Sequence, residues 1–332
     1  MKSRWVLYFL VILLLSACSS KVTPTVPPSP TAAGPTSVPV DLEPLALVLT
    51  LGSIGKGPGQ FIEPDGVILD SQGRFVVTDK GNNKVVMFDQ SGTLIKEFGQ
   101  SGEGPGQFDT PTGIRADDQG RLWITDTGNS QVDVFDSEGA WLFSFGEHGA
   151  EPGQFMEPQG IWIDQDRIFI TDTELCLIDI FDLEGNFLSR FGEKAQDPAL
   201  ASIESIAVDD EGRVFISDEG NQRIVVFDQE GNVLYSFGEK GEGPGEFKAD
   251  VEGLAFDSAG RIYALDESGG RVNVFSHTGE FIAALGNGNG FDPGLFNSPD
   301  GLNIVPDKDW LVIVDQGNKR IQVFDLGQVA WP

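Results

Sequence analysis

The sequence is poor in the residues that most often carry catalysis. Its 332 residues include two cysteines and two histidines, and the histidines stand far apart, at His148 and His277. It contains no His-x-x-x-His pair, no Cys-x-x-Cys pair and no nucleophile elbow, so it lacks the motifs of zinc proteases, thiol redox enzymes and α/β-hydrolases. We therefore assign no catalytic residue from sequence, and an enzymatic role is an alternative to our main functional hypothesis.

Basic residues and disulfide partners are also scarce. The chain has 22 Lys and Arg against 51 Asp and Glu, a formal net charge of −29. This excess repels phosphate backbones, so we do not expect a nucleic-acid partner, and it favours cationic partners or metal ions. Once Cys18 is assigned to lipidation, Cys176 is left alone and cannot form an internal disulfide.

The one long apolar run is too short to cross a membrane. Residues 5–15 are apolar, they follow Lys2 and Arg4, and they lead into Leu15-Ser-Ala-Cys18, whereas a bilayer core needs about 20 apolar residues. This pattern is typical of a secretory signal peptide. The last four residues resemble the lipobox of bacterial lipoproteins, in which the cysteine is lipidated and becomes the mature N-terminus. An ordinary cleavable signal peptide is the alternative.

Three segments are predicted from these features. Residues 1–17 form a signal peptide, and residues 18–43 comprise the lipidated Cys18 and a linker, since residues 19–40 hold 6 prolines and 8 serines or threonines. Such a composition behaves as an extended spacer. The folded domain is predicted to span residues 44–328. The protein would then be anchored through Cys18 to the extracytoplasmic face of a membrane of the cell envelope.

The remaining chain shows no 3.6-residue helical periodicity and instead contains a much longer sequence repeat. An aspartate closes a short apolar run once in every 46–49 residues, at Asp79, Asp126, Asp172, Asp218, Asp266 and Asp315. Each unit contains segments of strand length that are rich in β-branched and aromatic residues and bounded by Gly, Asn or Asp. Four such strands per unit, here called a to d, and six units predict an all-β, six-bladed β-propeller with antiparallel blades.

The ends of the chain suggest how the ring closes. The last unit has no strand d after residue 325, whereas residues 45–51 have the apolar pattern of a strand d before the first unit. We therefore expect this N-terminal strand to complete the last blade and remove its exposed edge.

The repeated sequence resembles the NHL repeat family. The resemblance rests on Pro111-Thr-Gly-Ile followed by Thr125-Asp-Thr-Gly-Asn and recurs across residues 52–325. It implies a propeller that serves as a binding platform or an extracellular sensor, with a few metal-dependent enzymes in the family, and so a scaffold more than a reaction. Unit three departs from the pattern at Leu175-Cys176, and unit four lacks the Gly-Pro-Gly-Gln-Phe segment.

The candidate site comes from positions that vary between otherwise similar units. The variable residue of Pro-x-Gly opens strand a, and these residues should ring the mouth of the central channel on the face with the long loops, here called the top face. They are Asp65, Thr112, Gln159, Glu204, Glu252 and Asp300. A second variable position, three residues further along strand a, adds Arg115, Trp162 and Asn303. Simple solvent exposure is the alternative explanation of this variability.

Four carboxylates of the ring suggest a cation site. Like charges raise one another's pKa unless a cation offsets them, and oxygen ligands favour a hard ion, so Ca²⁺ is preferred to Zn²⁺. The predicted metal ligands are Asp65, Glu204, Glu252 and Asp300. Arg115 offers a competing account, in which its guanidinium pairs with these acids.

The functional prediction is a membrane-tethered binding module that engages a protein, a glycan or a small ligand on its top face. The alternative is a divalent-metal-dependent hydrolase or lyase with its site at the channel mouth. A structural component of the envelope is a third hypothesis.

Overall fold

A computed structural model describes residues 40–192 and 199–331. The predicted signal peptide, Cys18 and the linker up to residue 39 lie outside these residues. In the described part of the chain, the regular elements are β-strands and 3₁₀ turns of three residues, and no helix is long and apolar enough to cross a membrane.

The predicted six-bladed propeller with four antiparallel strands per blade is confirmed. Two strands precede the first blade: β1 (Leu42–Glu43) and β2 (Ala46–Leu51). Blade 1 contains β3 (Pro64–Leu69), β4 (Phe75–Asp79), β5 (Lys84–Phe88) and β6 (Leu94–Phe98). Blade 2 contains β7 (Pro111–Ala116), β8 (Leu122–Asp126), β9 (Gln131–Phe135) and β10 (Trp141–Phe145). Blade 3 contains β11 (Pro158–Asp164), β12 (Arg167–Asp172), β13 (Leu177–Asp182) and β14 (Phe187–Phe191).

The second half of the chain repeats this pattern. Blade 4 contains β15 (Ile203–Val208), β16 (Val214–Asp218), β17 (Arg223–Phe227) and β18 (Val233–Phe237). Blade 5 contains β19 (Val251–Phe256), β20 (Ile262–Asp266), β21 (Arg271–Phe275) and β22 (Phe281–Leu285). Blade 6 contains β23 (Leu302–Val305), β24 (Trp310–Asp315), β25 (Arg320–Asp325) and the N-terminal strand β2.

The N-terminal segment contributes to two blades. Strand β2 pairs antiparallel with β25, with Leu47 opposite Phe324 and Leu51 opposite Ile321. Strand β1 pairs parallel with β22 and extends blade 5 to five strands. The repeat did not predict β1, because two residues are too few to show an alternating pattern. At the other end, the Arg261 guanidinium lies 3.5 Å from the ring centre of Trp331, so propeller contacts extend beyond residue 328.

The core lies between neighbouring blades. One cluster joins Phe75 and Val77 of blade 1 to Val312 and Val314 of blade 6, and Leu51 of β2 packs in the same cluster. Five crossovers between blades end in a phenylalanine that is fully buried: Phe61, Phe108, Phe155, Phe247 and Phe296. These side chains anchor the long crossovers of the top face to the core, because the burial of an apolar side chain is stabilising.

The six repeated aspartates are structural. The carboxylate of Asp79 accepts hydrogen bonds from the Ile62 amide, at 3.1 Å, and from the Asn82 side chain, at 2.6 Å. It thereby joins the crossover before strand a to the turn between strands b and c. The other five accept a crossover amide in the same way: Asp126, Asp172, Asp218, Asp266 and Asp315. These bonds hold the loops that surround the channel mouth.

Candidate functional site at the channel mouth

The start of each strand a is held against the next blade at the channel. A Cβ atom on Gly66 would lie 2.6 Å from the Thr112 carbonyl oxygen, closer than real contacts allow. Thr78 of strand b donates to the same oxygen at 2.5 Å. The Pro-x-Gly motif therefore has a physical cause: glycine allows the close approach, and the carbonyl of the variable residue is fixed by the preceding blade. In blade 4 a serine, Ser205, replaces this glycine and accepts from the Leu254 amide at 2.9 Å.

This arrangement places most of the predicted site residues around one cavity. The cavity has a volume of about 260 Å³ and lies at the channel mouth. Five of the six variable residues of Pro-x-Gly line it, together with one residue from deeper in strand a: Asp65, Gln159, Glu204, Glu252, Asp300 and Arg115.

Three of the predicted residues lie elsewhere. Thr112 is buried, and its hydroxyl shares hydrogen bonds with Thr125 and Thr127 at 3.0 and 2.8 Å. Trp162 lines a different cavity with Arg213 and other residues of the a–b turns. Asn303 lines a third cavity, with residues of the a–b turn of blade 1. The second variable position runs away from the mouth along strand a, so only its Arg115 reaches the cavity.

Lys80 contacts two of the four predicted metal ligands, Asp65 and Asp300, and the other two, Glu204 and Glu252, form a separate pair. Its ammonium lies 2.7 Å from a carboxylate oxygen of Asp65 and 3.6 Å from one of Asp300. Asp300 also accepts a hydrogen bond from Gln316. Glu204 and Glu252 are left to contact each other through a side-chain hydrogen bond. Lys80 thus forms ion pairs with the acids of blades 6 and 1, which is the role that the competing account gave to Arg115.

The charges of this ring perturb one another. Burial raises the pKa of Glu252 well above its usual range, and the neighbouring Glu204 and Asp300 raise it further. Burial also raises the pKa of Asp300, with Asp65 adding to the shift and Lys80 opposing it. Although burial favours the neutral amine of Lys80, Asp65 and Asp300 raise its pKa overall. The carboxyl groups of the ring outnumber its lysine, so they resist ionisation unless a further cation is present.

Sequence reasoning missed a second ring of residues. These residues directly follow the repeated aspartates, at the b–c turns: Lys80, Thr127, Thr173, Glu219, Glu267 and Gln316. Three of them contact the Pro-x-Gly residue of their own blade, as Lys80 does with Asp65. The sequence signal is the same for both rings. Each residue of this second ring varies between units and directly follows an aspartate that does not vary.

Blades 4 and 5 bring three carboxylates together. Oxygen atoms of Glu219, Asp250 and Glu252 all lie within 4.8 Å of one another. Burial raises the pKa of Glu219 to about 7, with Glu204 and Asp250 adding to the shift while a hydrogen bond from Ser202 opposes it. These three side chains form an oxygen-only donor set that suits a hard cation, and they share only Glu252 with the predicted metal ligands.

Comparison with known protein families supports the propeller. The DUF5128 family model, described as a 6-bladed beta-propeller, matches residues 109–192 and 193–252. Protein lin-41 of Caenorhabditis elegans is 40% identical over 50 residues, which are 15% of this chain and 4% of that protein. This match spans only a small part of the relative. The sequence-based assignment to NHL-like six-bladed propellers is confirmed at this level.

Solved structures share the fold at low identity. A streptogramin B lyase has a TM-score of 0.61 and 14% identity, over 83% of this chain and 97% of that chain. A putative gluconolactonase has a TM-score of 0.61 and 14% identity, over 85% and 93%. A protein of unknown function from Bacteroides thetaiotaomicron has a TM-score of 0.64 and 13% identity, over 83% and 76%. At such identities the likeness concerns the fold alone.

Proposed function

We propose that this six-bladed β-propeller is a binding module that receives a cationic group of its ligand at the channel mouth. The supporting observation is the uneven charge of the mouth cavity. Lys80 pairs with Asp65 and Asp300, whereas Glu204 and Glu252 form no ion pair among the described residues. Two carboxyl groups held together in this way repel each other when ionised, and a ligand cation relieves that repulsion.

The proposed setting is the extracytoplasmic face of a membrane. It rests on the sequence, in which a signal peptide precedes a lipobox-like Cys18 and a proline-rich linker. The formal charge of −29 disfavours nucleic acids and favours cationic partners. A protein, a glycan or a small molecule with a cationic group fits this proposal.

Thermal melting tests the cation-binding mouth. We expect methylammonium chloride to raise the melting temperature of the wild type above that in sodium chloride at equal concentration, because a ligand that binds only the folded state stabilises it. Glu252→Gln should abolish this difference. The matched control is Glu280→Gln, which removes an equal charge from an exposed c–d turn, and it should respond as the wild type does. An equal response of all three proteins to the two salts would refute the proposal.

A divalent-metal-dependent hydrolase or lyase is the second candidate. The convergence of Glu219, Asp250 and Glu252 favours it, and the streptogramin B lyase and the putative gluconolactonase share the fold. In this case Ca²⁺ should bind the wild type and Glu280→Gln in calorimetry, and Asp250→Asn should bind it at least ten-fold more weakly. A response to methylammonium without binding of Ca²⁺ would favour the binding module over this candidate.

A further inference from the structure

Arg115 lies in the central channel, whereas Arg74, Arg121 and Arg213 lie at the a–b turns. It lies on β7, three residues beyond Thr112, or about 10 Å deeper in the channel at about 3.3 Å per residue. Its guanidinium stacks on Trp162 of the next blade, 4.7 Å from the ring centre. One N–H group donates to the Ile114 carbonyl at 2.9 Å. Arg115 also lines the mouth cavity, the space in which a ligand would sit.

Among the residues that the structure describes, this guanidinium has no carboxylate partner. In residues 40–192 and 199–331, no acid lies within ion-pair distance of Arg115, whereas Arg74, Arg121 and Arg213 each pair with an aspartate at 2.6–2.7 Å. The equivalent positions of the other blades carry no charge: Ile68, Trp162, Ala207, Ala255 and Asn303. Burial among such residues lowers the pKa of Arg115 to about 10, which leaves it cationic at neutral pH. The cavity therefore contains an unneutralised positive charge at its deep end.

The rim of the same cavity has the opposite charge. Glu204 and Glu252 line it, and the neighbouring Glu219 and Asp250 add further carboxyl groups. A simple anion would meet this repulsive rim, and a simple cation would leave Arg115 unpaired. A ligand that carries both charges satisfies both ends of the cavity, because a desolvated charge is stabilised only by a partner of opposite sign.

We infer that the mouth cavity binds a small zwitterion of the amino-acid or short-peptide class. Its carboxylate pairs with Arg115, its ammonium group lies between Glu204 and Glu252, and Trp162 holds the guanidinium in place. The volume of about 260 Å³ is slightly below the roughly 300–1,000 Å³ of drug-sized pockets and suits a ligand of this size. The inference rests on the proposed binding function of the mouth and adds the chemical class of its ligand.

Three dipeptide probes separate the two charges of the ligand. They are alanylalanine, its amide alanylalaninamide, which keeps only the ammonium group, and N-acetylalanylalanine, which keeps only the carboxylate. By calorimetry on the wild type, alanylalanine should bind roughly ten- to one hundred-fold more tightly than either capped probe, as expected for one charge-assisted contact. Arg115→Met should reduce its affinity to that of the amide and leave the affinity of the amide unchanged.

Control variants and probes distinguish a wrong ligand class from a wrong binding site and from unfolding. Lys56→Met removes a charge from an exposed position of a top-face crossover and should bind as the wild type does. Arg115→Met should melt no lower than the wild type without a probe, because it removes a partly buried charge that has no ion-pair partner among the described residues, so lost binding would not reflect unfolding. Equal affinity for alanylalanine and its amide overturns the zwitterion and leaves the cation-binding mouth intact. Tight binding of the acetylated probe alone overturns both, as does binding of no probe.

Discussion

Blade 2 buries two carboxyl groups side by side. Asp126 ends strand b and Asp133 lies in the middle of strand c, and both are fully buried. Asn129 donates to Asp126 at 2.6 Å, and the Trp141 indole donates to Asp133 at 3.1 Å. The pKa of Asp126 is raised to about 8: burial is the largest cause and Asp133 adds to the shift, while hydrogen bonds from Asn129 and the Asp109 amide oppose it. The folded protein therefore keeps a proton on this pair at neutral pH.

Other blades supply an arginine where blade 2 does not. In blade 3 the guanidinium of Arg190 contacts both oxygens of Asp179, which is the equivalent of Asp133. Blade 2 has Ser144 at the position of Arg190, and Gln131 begins its strand c where an arginine begins that of blades 4, 5 and 6. The two acids of blade 2 are thus left with hydrogen bonds from neutral groups.

Asp133→Asn should make the protein less sensitive to pH. Burial also raises the pKa of Asp133. A carboxyl whose pKa is raised in the folded state stabilises the protein below the unfolded pKa of about 3.9 and loses this stabilisation as pH rises through its folded-state pKa. The variant should be more stable than the wild type at pH 8, by on the order of 1–2 kcal/mol, and similar to it at pH 5. Urea unfolding at both pH values measures this difference. Asp179→Asn is the control and should be destabilised at both, because it leaves Arg190 without its partner.

The location of a site residue could be predicted from the sequence where a variable position lies within a recurring motif. The Pro-x-Gly residues could be placed at the channel mouth because the position recurs in every unit. In blades 1 to 3, glycine and the strand b threonine hold it in the same way. Lys80 was missed, although it is the cation that pairs with Asp65 and Asp300, because its contact is made between a turn and a strand that lie apart in sequence. That Arg115 has no carboxylate partner among the described residues could be seen only in the structure, since the absence of a partner leaves no pattern in the sequence.

At the scale of single elements, β2 joins the two ends of the chain. It pairs with β25, about 270 residues later in sequence. Its two faces differ: Leu51 is 1% exposed in the core between blades 6 and 1, whereas Val48 is 48% exposed. This contrast within one strand allows packing and pairing to be tested separately.

Leu51→Ala should lower the free energy of unfolding by about 2–5 kcal/mol, since it leaves a cavity in the core. Val48→Ala lies on the exposed face of the same strand and should change it by less than about 0.5 kcal/mol. Urea unfolding of the two variants provides the comparison. A similar loss in both would mean that β2 contributes through backbone pairing and not through its buried leucine.

Element-level prediction depended on the length of each element. The strands of four to seven residues are rich in β-branched and aromatic residues and are bounded by turn residues, so the repeat located them. The two-residue β1 has no such pattern, and its pairing with β22 depends on where the chain crosses from β1 to β2 in blade 6. Unit four lacks the Gly-Pro-Gly-Gln-Phe segment, and there Leu200 is buried at 5% exposure near the end of the crossover.

At the scale of the whole molecule, the acidic side chains serve two purposes. The repeated aspartates of strand b accept hydrogen bonds within every blade, and others at the a–b turns pair with arginines, so their charge is used in the fold. The acids of the mouth in blades 4 and 5 have no such pairing with a base among the described residues. The same residue type therefore has a structural role where it repeats and a proposed functional role where it varies.

The proposed membrane anchor is tested by the two cysteines of the chain. When the full chain is expressed in a bacterial host, the wild type should enter the detergent phase on partition, because the Cys18 sulfur accepts the lipid. Cys18→Ser should enter the aqueous phase or accumulate with its signal peptide uncleaved. Cys176→Ser is the matched control: Cys176 is a buried free thiol of blade 3, far from the anchor in sequence, and this variant should partition as the wild type does. Detergent partition of Cys18→Ser, with an N-terminus processed as in the wild type, would contradict lipidation at Cys18 and with it the tethered binding module.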